Sequence, residues 1–308
     1  MRHGIHHVTA IAGEPRRNLA FYTSTLGMRF VKRTVNFDDP GTYHFYFGDE
    51  TGRPGTIVTF FPWANAAPGQ VGIGQTSETA LCIPEGSIGY WAHRLIERGV
   101  AHAGVEKRFG QSVLPFQDPD GMRLALVGIS GAESEPGWSG ADVPADHAVR
   151  GLHGVTLLLE DAAPTAAILT DVLGFRETAR DGSLLRHESD APLGACVDLR
   201  IAGGFLGGRA GRGTVHHVAF RASDDADQAA MVARLADNHG LRTTEQKDRN
   251  YFRSVYFREP GGVLFEIATD APGFSADEDP ASLGRALKLP PFLEPQRREI
   301  EAALPVLE

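Results

Sequence analysis

Two pairs of adjacent histidines stand out in this 308-residue chain: His6-His7 in Ile5-His6-His7-Val8, and His216-His217 in Val215-His216-His217-Val218. Each pair sits at the start of an apolar or β-branched run of strand length, where successive side chains point to opposite faces. The member just before Val in both places is His7 or His217. Glu266 is a third candidate, since it lies inside Val263-Leu264-Phe265-Glu266-Ile267, where a charge is costly unless it is paired or bound to a metal. Two imidazoles and one carboxylate are the facial set that holds non-haem Fe(II) and leaves coordination positions open. Mn(II) accepts the same ligands. Taken singly, each residue has a plainer explanation. A lone histidine beside Val in a strand is more often structural, and Glu266 could pair with Arg253 or Arg258. His3, His44, His93, His102, His147, His187 and His239 follow no such pattern and read as structural.

The position of these residues in an internal repeat gives them weight. Gly4-Ile5-His6-His7-Val8-Thr9 recurs as Gly151-Leu152-His153-Gly154-Val155-Thr156, and Leu26-Gly27-Met28-Arg29 recurs as Leu173-Gly174-Phe175-Arg176, both 147 positions further on. Each half divides again. The His216-His217 strand repeats the opening one inside the second half, and Asp118-Pro119-Asp120-Gly121 matches Glu259-Pro260-Gly261-Gly262, each ahead of an apolar run. His7 and His217 therefore occupy equivalent places, and Glu266 lies on a last strand where the second module has Ala125.

The elements that position them follow from local patterning. In the first module a strand is followed by a helix over 15–26, with Leu19, Tyr22 and Leu26 near a 3.6 period and Gly27 as its stop. Strands over 29–36, 42–48 and 55–61 come next. The fourth module repeats this order, with a helix over 225–238 stopped by Gly240 and strands near 241–246, 254–258 and 263–268. The pattern predicts an α+β fold of four βαβββ modules, at 1–63, 71–130, 150–207 and 211–270. These make an N-terminal half, 1–130, and a C-terminal half, 150–270, joined by a Gly/Pro/Ala-rich linker over 131–149. A tail follows over 271–308, with a helix expected at 294–304 and a place across the surface or at a subunit contact.

Composition narrows the setting. With 30 Lys+Arg against 39 Asp+Glu and basic residues scattered along the chain, a nucleic-acid surface is not expected. No apolar run is long enough for a membrane span, and the N-terminus carries no secretory pattern. Two cysteines, Cys82 and Cys196, make no disulfide framework, which suits a reducing, cytoplasmic setting.

The modular plan with His7, His217 and Glu266 resembles the vicinal oxygen chelate superfamily of glyoxalases, fosfomycin and bleomycin resistance proteins and extradiol dioxygenases. More narrowly, the Gly4–Thr9 segment, the Val215–Val218 segment and the tail motif Leu289-Pro290-Pro291-Phe292-Leu293-Glu294-Pro295 look like ring-cleaving dioxygenases acting on hydroquinones. The likeness covers essentially the whole chain.

The resemblance implies that modules pair into barrel-like cups, with metal ligands on the first and last strands of a module. Module 3 offers Gly154 at the ligand position, and module 2 offers Thr79 or Ala80 and Ala125. Modules 1 and 4 should therefore build the metal cup, within the chain or between subunits, leaving modules 2 and 3 a metal-free cup. Glyoxalase-type isomerases use four protein ligands, and the last strand of module 1 offers no fourth. The resemblance also implies that Tyr256 hydrogen-bonds either the substrate's second hydroxyl or the oxygenated intermediate, that Arg249 stabilises developing anionic charge, and that His6, Thr9 and His216 lie beside the ligands. Strand parity turns His6 and His216 away from the metal, so orienting roles come first for them. The expected activity is that of a non-haem Fe(II) extradiol-type dioxygenase, placing both atoms of O2 into a hydroquinone or catechol-like ring, in a homo-oligomer. The alternatives are a glyoxalase-like metal-dependent isomerase or lyase, and a resistance-type protein that sequesters a small molecule.

Overall fold

In the computed structural model, which describes residues 3–307, all four modules follow the βαβββ order. Module 1 comprises β1 (Ile5–Ala12), α1 (Pro15–Ala20), β2 (Arg29–Asn36), β3 (Asp39–Gly48) and β4 (Ile57–Pro62). Module 2 comprises β5 (Gln75–Pro84), α2 (Ile88–Glu97), β6 (Glu106–Arg108), β7 (Gln111–Gln117) and β8 (Arg123–Ile129). Module 3 comprises β9 (Gly151–Leu159), α3 (Ala163–Asp171), β10 (Arg176–Asp181), β11 (Leu184–Glu188) and β12 (Cys196–Ile201). Module 4 comprises β13 (Thr214–Ala222), α4 (Asp225–His239), β14 (Lys247–Asp248), β15 (Arg253–Arg258) and β16 (Leu264–Thr269). The tail ends in α5 (Arg297–Ala303), entered through a 3-10 turn at Glu294–Gln296.

Helix boundaries have local causes. The Glu14 carboxylate accepts the backbone N–H groups of Arg16 and Arg17, and Pro15 opens α1, where a missing N–H costs nothing. At α4 the Asp224 carboxylate caps Asp227, and Gly240 closes the helix at φ +63°, in the left-handed region that favours glycine.

Two eight-stranded sheets result, in the orders β14-β15-β16-β13-β1-β4-β3-β2 and β10-β11-β12-β9-β5-β8-β7-β6. Each sheet takes four strands from each half of the chain. Module 1 pairs with module 4 within one chain through antiparallel β1 and β13, with His7 opposite Ala219 and Thr9 opposite His217. Modules 2 and 3 pair the same way through β5 and β9, with Gly154 opposite Ala80 and Thr156 opposite Glu78. Alternation divides each first strand: Val8 and Ala10 face a hydrophobic core shared by both sheets, together with Leu81, Leu152, Leu157 and Val218, while His7 and Thr9 face the hollow of the first sheet.

Two expectations need correction. The segment 241–246 is not a strand, and the short β14 lies beyond it at Lys247–Asp248. Thr244 does run beside β15, donating its N–H to Tyr256 O at 2.9 Å, but the Tyr256 N–H returns to the Thr244 hydroxyl at 3.1 Å rather than to a backbone carbonyl. The side chain replaces the ladder bond that would have continued the strand. Second, the equivalent of His217 in module 2 is Glu78, not Thr79 or Ala80. Bulges on either side of this segment, between Thr76 and Glu78 and between Ala80 and Leu81, shift the register that sequence offsets assume.

The tail lies along module 1. The Lys32 side chain on β2 is wholly buried, with Nζ 2.7 Å from Asp277 Oδ1 and 2.8 Å from Glu278 Oε2. Leu289, Leu293, Ile300 and Leu304 join the main core. No helix among the described residues is long and apolar enough to cross a membrane.

Candidate metal centre

The hollow of the first sheet brings together side chains separated by up to 259 positions in sequence. His7 comes from β1, His217 from β13 and Glu266 from β16, where Glu266 is registered against Ala219. One ligand atom from each lies within 4.8 Å of the others, and all three residues are buried. Among the described residues no other group of three converges in this way.

Their bonding leaves one atom of each residue turned toward a common centre. Ser254 on β15 donates its hydroxyl to Glu266 Oε1. Glu266 Oε2 is fully buried and has no hydrogen bond, although His217 Nε2 lies 2.9 Å away and His7 Nε2 3.5 Å away. The pairs are close but not aligned as N–H donors to that oxygen, which is how ligand atoms are arranged when they share a cation. At the far side of each ring, His6 Nδ1 lies 3.0 Å from His7 Nδ1, and His216 Nδ1 lies 2.8 Å from His217 Nδ1. Each histidine is thus held by its sequence neighbour, leaving Nε2 for the centre. Phe252 packs on the rings of His6 and His7, with centroids 5.2 and 5.1 Å away.

Protonation states agree with this reading. Burial pushes the His217 imidazole below its ordinary range, against the opposing pull of the Glu266 carboxylate. Burial alone would raise Glu266, but the neighbouring His7 and His217 outweigh it and hold the carboxyl well below the usual range. A neutral imidazole and an ionised carboxylate are the forms that bind a metal. Two nitrogens and one oxygen, buried, convergent and unsatisfied, fit a first-row divalent ion with positions to spare.

A cavity of about 200 Å³ adjoins the cluster, lined also by His44, Tyr46, Phe61, Trp63, His216, Arg249, Phe252 and Tyr256. Tyr256 on β15 stands opposite Glu266 in the ladder. Arg249 donates from Nε to the Tyr256 hydroxyl oxygen at 3.2 Å, lies over its ring, and pairs through Nη2 with Asp38 Oδ2 at 3.0 Å. Burial, reinforced by Glu266, raises the Tyr256 phenol, so it keeps its proton. Thr9 is buried two residues from His7 on the same face, and its Oγ1 accepts from Thr59 at 2.9 Å.

All eight residues singled out from sequence therefore lie in or around this cluster. His44, read as structural, also lines the cavity together with Tyr46. The signal was strand parity: positions 44 and 46 of β3 share a face, and their register against β2 and β4 turns that face inward.

In module 4, Ala219 on β13 is registered with Glu266 on β16; in module 1 the matching pair is Thr9 on β1 with Thr59 on β4. Where a four-ligand site would hold a carboxylate or imidazole, this chain has Thr59, whose hydroxyl is engaged by Thr9 and His44.

Comparison with known proteins agrees with this architecture. The family model described as Glyoxalase/Bleomycin resistance protein/Dioxygenase superfamily matches residues 4–126 and 151–267. MhqO of Bacillus subtilis, named provisionally as a ring-cleaving dioxygenase, is 45% identical over 302 residues, covering 98% of this chain and 95% of that protein. The chlorohydroquinone/hydroquinone 1,2-dioxygenase of Sphingobium indicum is 36% identical over 308 residues, covering 96% of this chain and 94% of that protein. A crystal structure of a provisionally named Bacillus subtilis dioxygenase superposes with a TM-score of 0.94 at 45% identity, covering 99% of this chain and 97% of the other. The cup built from modules 1 and 4, its convergent His–His–Glu cluster and these matches lead to one conclusion: the chain belongs to the glyoxalase/bleomycin resistance protein/dioxygenase superfamily.

Proposed function

We propose that this protein is a ring-cleaving dioxygenase of the extradiol type, using Fe(II) held by His7, His217 and Glu266 on a hydroquinone or catechol-like substrate. The observation that carries the reading is the three-ligand cluster with Thr59 at the fourth position. An isomerase of the glyoxalase kind needs that fourth ligand, and a sequestering cup needs none. A bound Fe(II), or Mn(II) with the same ligands, would supply Lewis-acid activation of a phenol and open positions where phenol and O2 meet.

The remaining work falls to the chain's own residues. His6 and His216 hold the ligand rings by their Nδ1 atoms, and Ser254 holds the carboxylate, so the donor set is preorganised. Phe61 and Trp63, with ring centroids 5.7 Å apart, give the cavity an aromatic wall. A volume of about 200 Å³ suits one substituted ring, given that a cavity of about 150 Å³ binds benzene. Tyr256 keeps a proton to donate to a substrate oxygen, and the Arg249 guanidinium on its far side favours negative charge there. Both cysteines are buried free thiols, which fits the reducing, cytoplasmic setting proposed for the enzyme.

Metal analysis of anaerobically purified protein, with oxygen uptake on adding hydroquinone or catechol, tests the proposal. Stoichiometric iron and substrate-dependent uptake are expected. An Fe(II)-reconstituted protein that consumed no O2 with any dihydroxybenzene would end the dioxygenase reading.

A further inference from the structure

His44 and Tyr46 on β3 line the cavity but have no part in the scheme above. They close a chain of hydrogen bonds running across three strands. The Tyr46 hydroxyl lies 2.9 Å from His44 Nδ1, and His44 Nε2 lies 2.8 Å from Thr59 Oγ1 on β4. Thr59 in turn donates to Thr9 Oγ1 on β1 at 2.9 Å. The His44 ring is packed against Tyr46 and Phe61, with centroids 4.1 and 4.4 Å away.

A neutral imidazole carries one N–H and one lone pair, so the direction of the chain at one end sets it at the other. With its own proton given to Thr9, Thr59 accepts from His44 Nε2–H. His44 Nδ1 then holds the lone pair and accepts the Tyr46 proton. Tyr46 is left with acceptor capacity alone to offer the cavity. Tyr256 has the opposite setting: its oxygen accepts from Arg249 Nε at 3.2 Å, and its own proton is free to be donated.

We propose that the cavity reads two substrate oxygens with opposite polarity, Tyr256 donating to one ring oxygen and Tyr46, set as an acceptor by His44, accepting from a second, protonated ring hydroxyl. This rests on the ring-cleaving reading and adds what the site selects: a phenol with a second free O–H, in preference to a monophenol or a phenol whose second oxygen is alkylated. Tyr46 is the specificity contact, and His44 is a positioning residue that acts through it. A buried acceptor left without a donor penalises the wrong ligand more than a missing apolar contact would.

The test is a binding titration of the Fe(II)-reconstituted protein under anaerobic conditions, followed by quenching of tryptophan emission, since Trp63 lines the cavity. The probes are hydroquinone, phenol and 4-methoxyphenol, the last keeping the second oxygen but not its proton. Wild-type protein is expected to bind hydroquinone roughly tenfold more tightly than either of the others. Tyr46→Phe should bring hydroquinone down to the level of phenol while phenol itself is unchanged. His44→Leu should release the Tyr46 proton, so that 4-methoxyphenol rises toward hydroquinone, a shift that loss of packing alone does not produce. Equal wild-type affinity for hydroquinone and 4-methoxyphenol, or an undiminished hydroquinone preference in Tyr46→Phe, would overturn the proposal. If Tyr46→Phe does not fold, the wild-type ratio and His44→Leu still decide it. Wild-type protein that binds none of the three phenols would instead remove the ring-cleaving reading itself.

Discussion

The two cups share one fold and one strand register, yet one holds an open, convergent donor set and the other is filled with ion pairs. Position by position, His7, His217, Glu266 and Thr59 of the first cup correspond to Gly154, Glu78, Ala125 and Asp198 of the second. The second cup is not apolar. Asp198 accepts both Arg186 Nε at 2.9 Å and Nη2 at 2.8 Å, Arg108 bonds Glu78, and Phe109 lies under the Arg186 guanidinium at 4.3 Å. Two arginine side chains fill the space that the first cup leaves open, and the residual cavity there is about 10 Å³ against about 200 Å³. Backbone packing also bars a ligand at position 154, because a Cβ there would lie 2.2 Å from Cys196 O. The lesson is that the cup specifies where donors can stand, while the residues at four positions decide between an open, convergent donor set and an internal salt-bridge lock.

The difference can be broken most severely from the first cup. His217→Ala, or Glu266→Ala, should leave a folded protein that no longer retains iron and whose oxygen uptake falls to background. Loss of even an outer-shell partner lowers metal affinity by roughly 10–100-fold, so a ligand should cost at least that. An iron-stoichiometric His217→Ala protein would show that the ligand assignment is wrong.

In the second cup the expected injury is to stability. Asp198→Ala strands the buried Arg186 charge and should cost about 3–5 kcal/mol in denaturant unfolding, with iron content per folded molecule unchanged. Replacing both partners by Leu should recover most of that loss. A drop in iron content in either variant would mean that the cups are not independent.

A smaller, pH-dependent effect is expected where module 2 meets module 1. Asp118 accepts the backbone N–H groups of Asp120 and Met122 and the hydroxyl of Tyr22, and burial raises its carboxyl from 3.8 to about 6. A carboxyl raised on folding binds its proton more tightly in the native state. Its contribution is therefore fully present below about pH 4 and is lost as pH rises through about 6. Asp118→Asn, neutral throughout, should gain on wild type by up to about 3 kcal/mol between pH 4 and pH 7. A stability difference that stayed flat across that interval would contradict the assignment.

Tyr256→Phe sharpens the comparison at the smallest scale, since it removes one donor and leaves the metal cluster and the second cup alone. Turnover of the iron-loaded protein should fall roughly tenfold with metal content intact. An unchanged rate would make Tyr256 a packing residue.

Much of this architecture is legible in the amino-acid sequence. The offset of 147 residues, the paired histidines and the lone carboxylate in an apolar strand point to the repeat and to His7, His217 and Glu266, because strand alternation and the cost of a buried charge are local rules. Less local features escaped. Glu78 hides behind a bulge, and Thr244 ends a strand by offering its hydroxyl in place of a carbonyl. His44 carries no mark apart from its parity with Tyr46, and parity is informative only once β3 is known to curl around the same hollow as β1.

The repeat, the order of most elements and the three candidate donor residues are readable from the amino-acid sequence, since these depend on periodicity and composition over a few neighbouring positions. The pairing of β1 with β13 inside one chain, the place of Thr59 where a fourth ligand would be, and the closing of the second cup by Arg186 and Arg108 emerge from the folded chain alone. Those outcomes depend on strand register and on the volume left between side chains distant in sequence, quantities that no local pattern encodes.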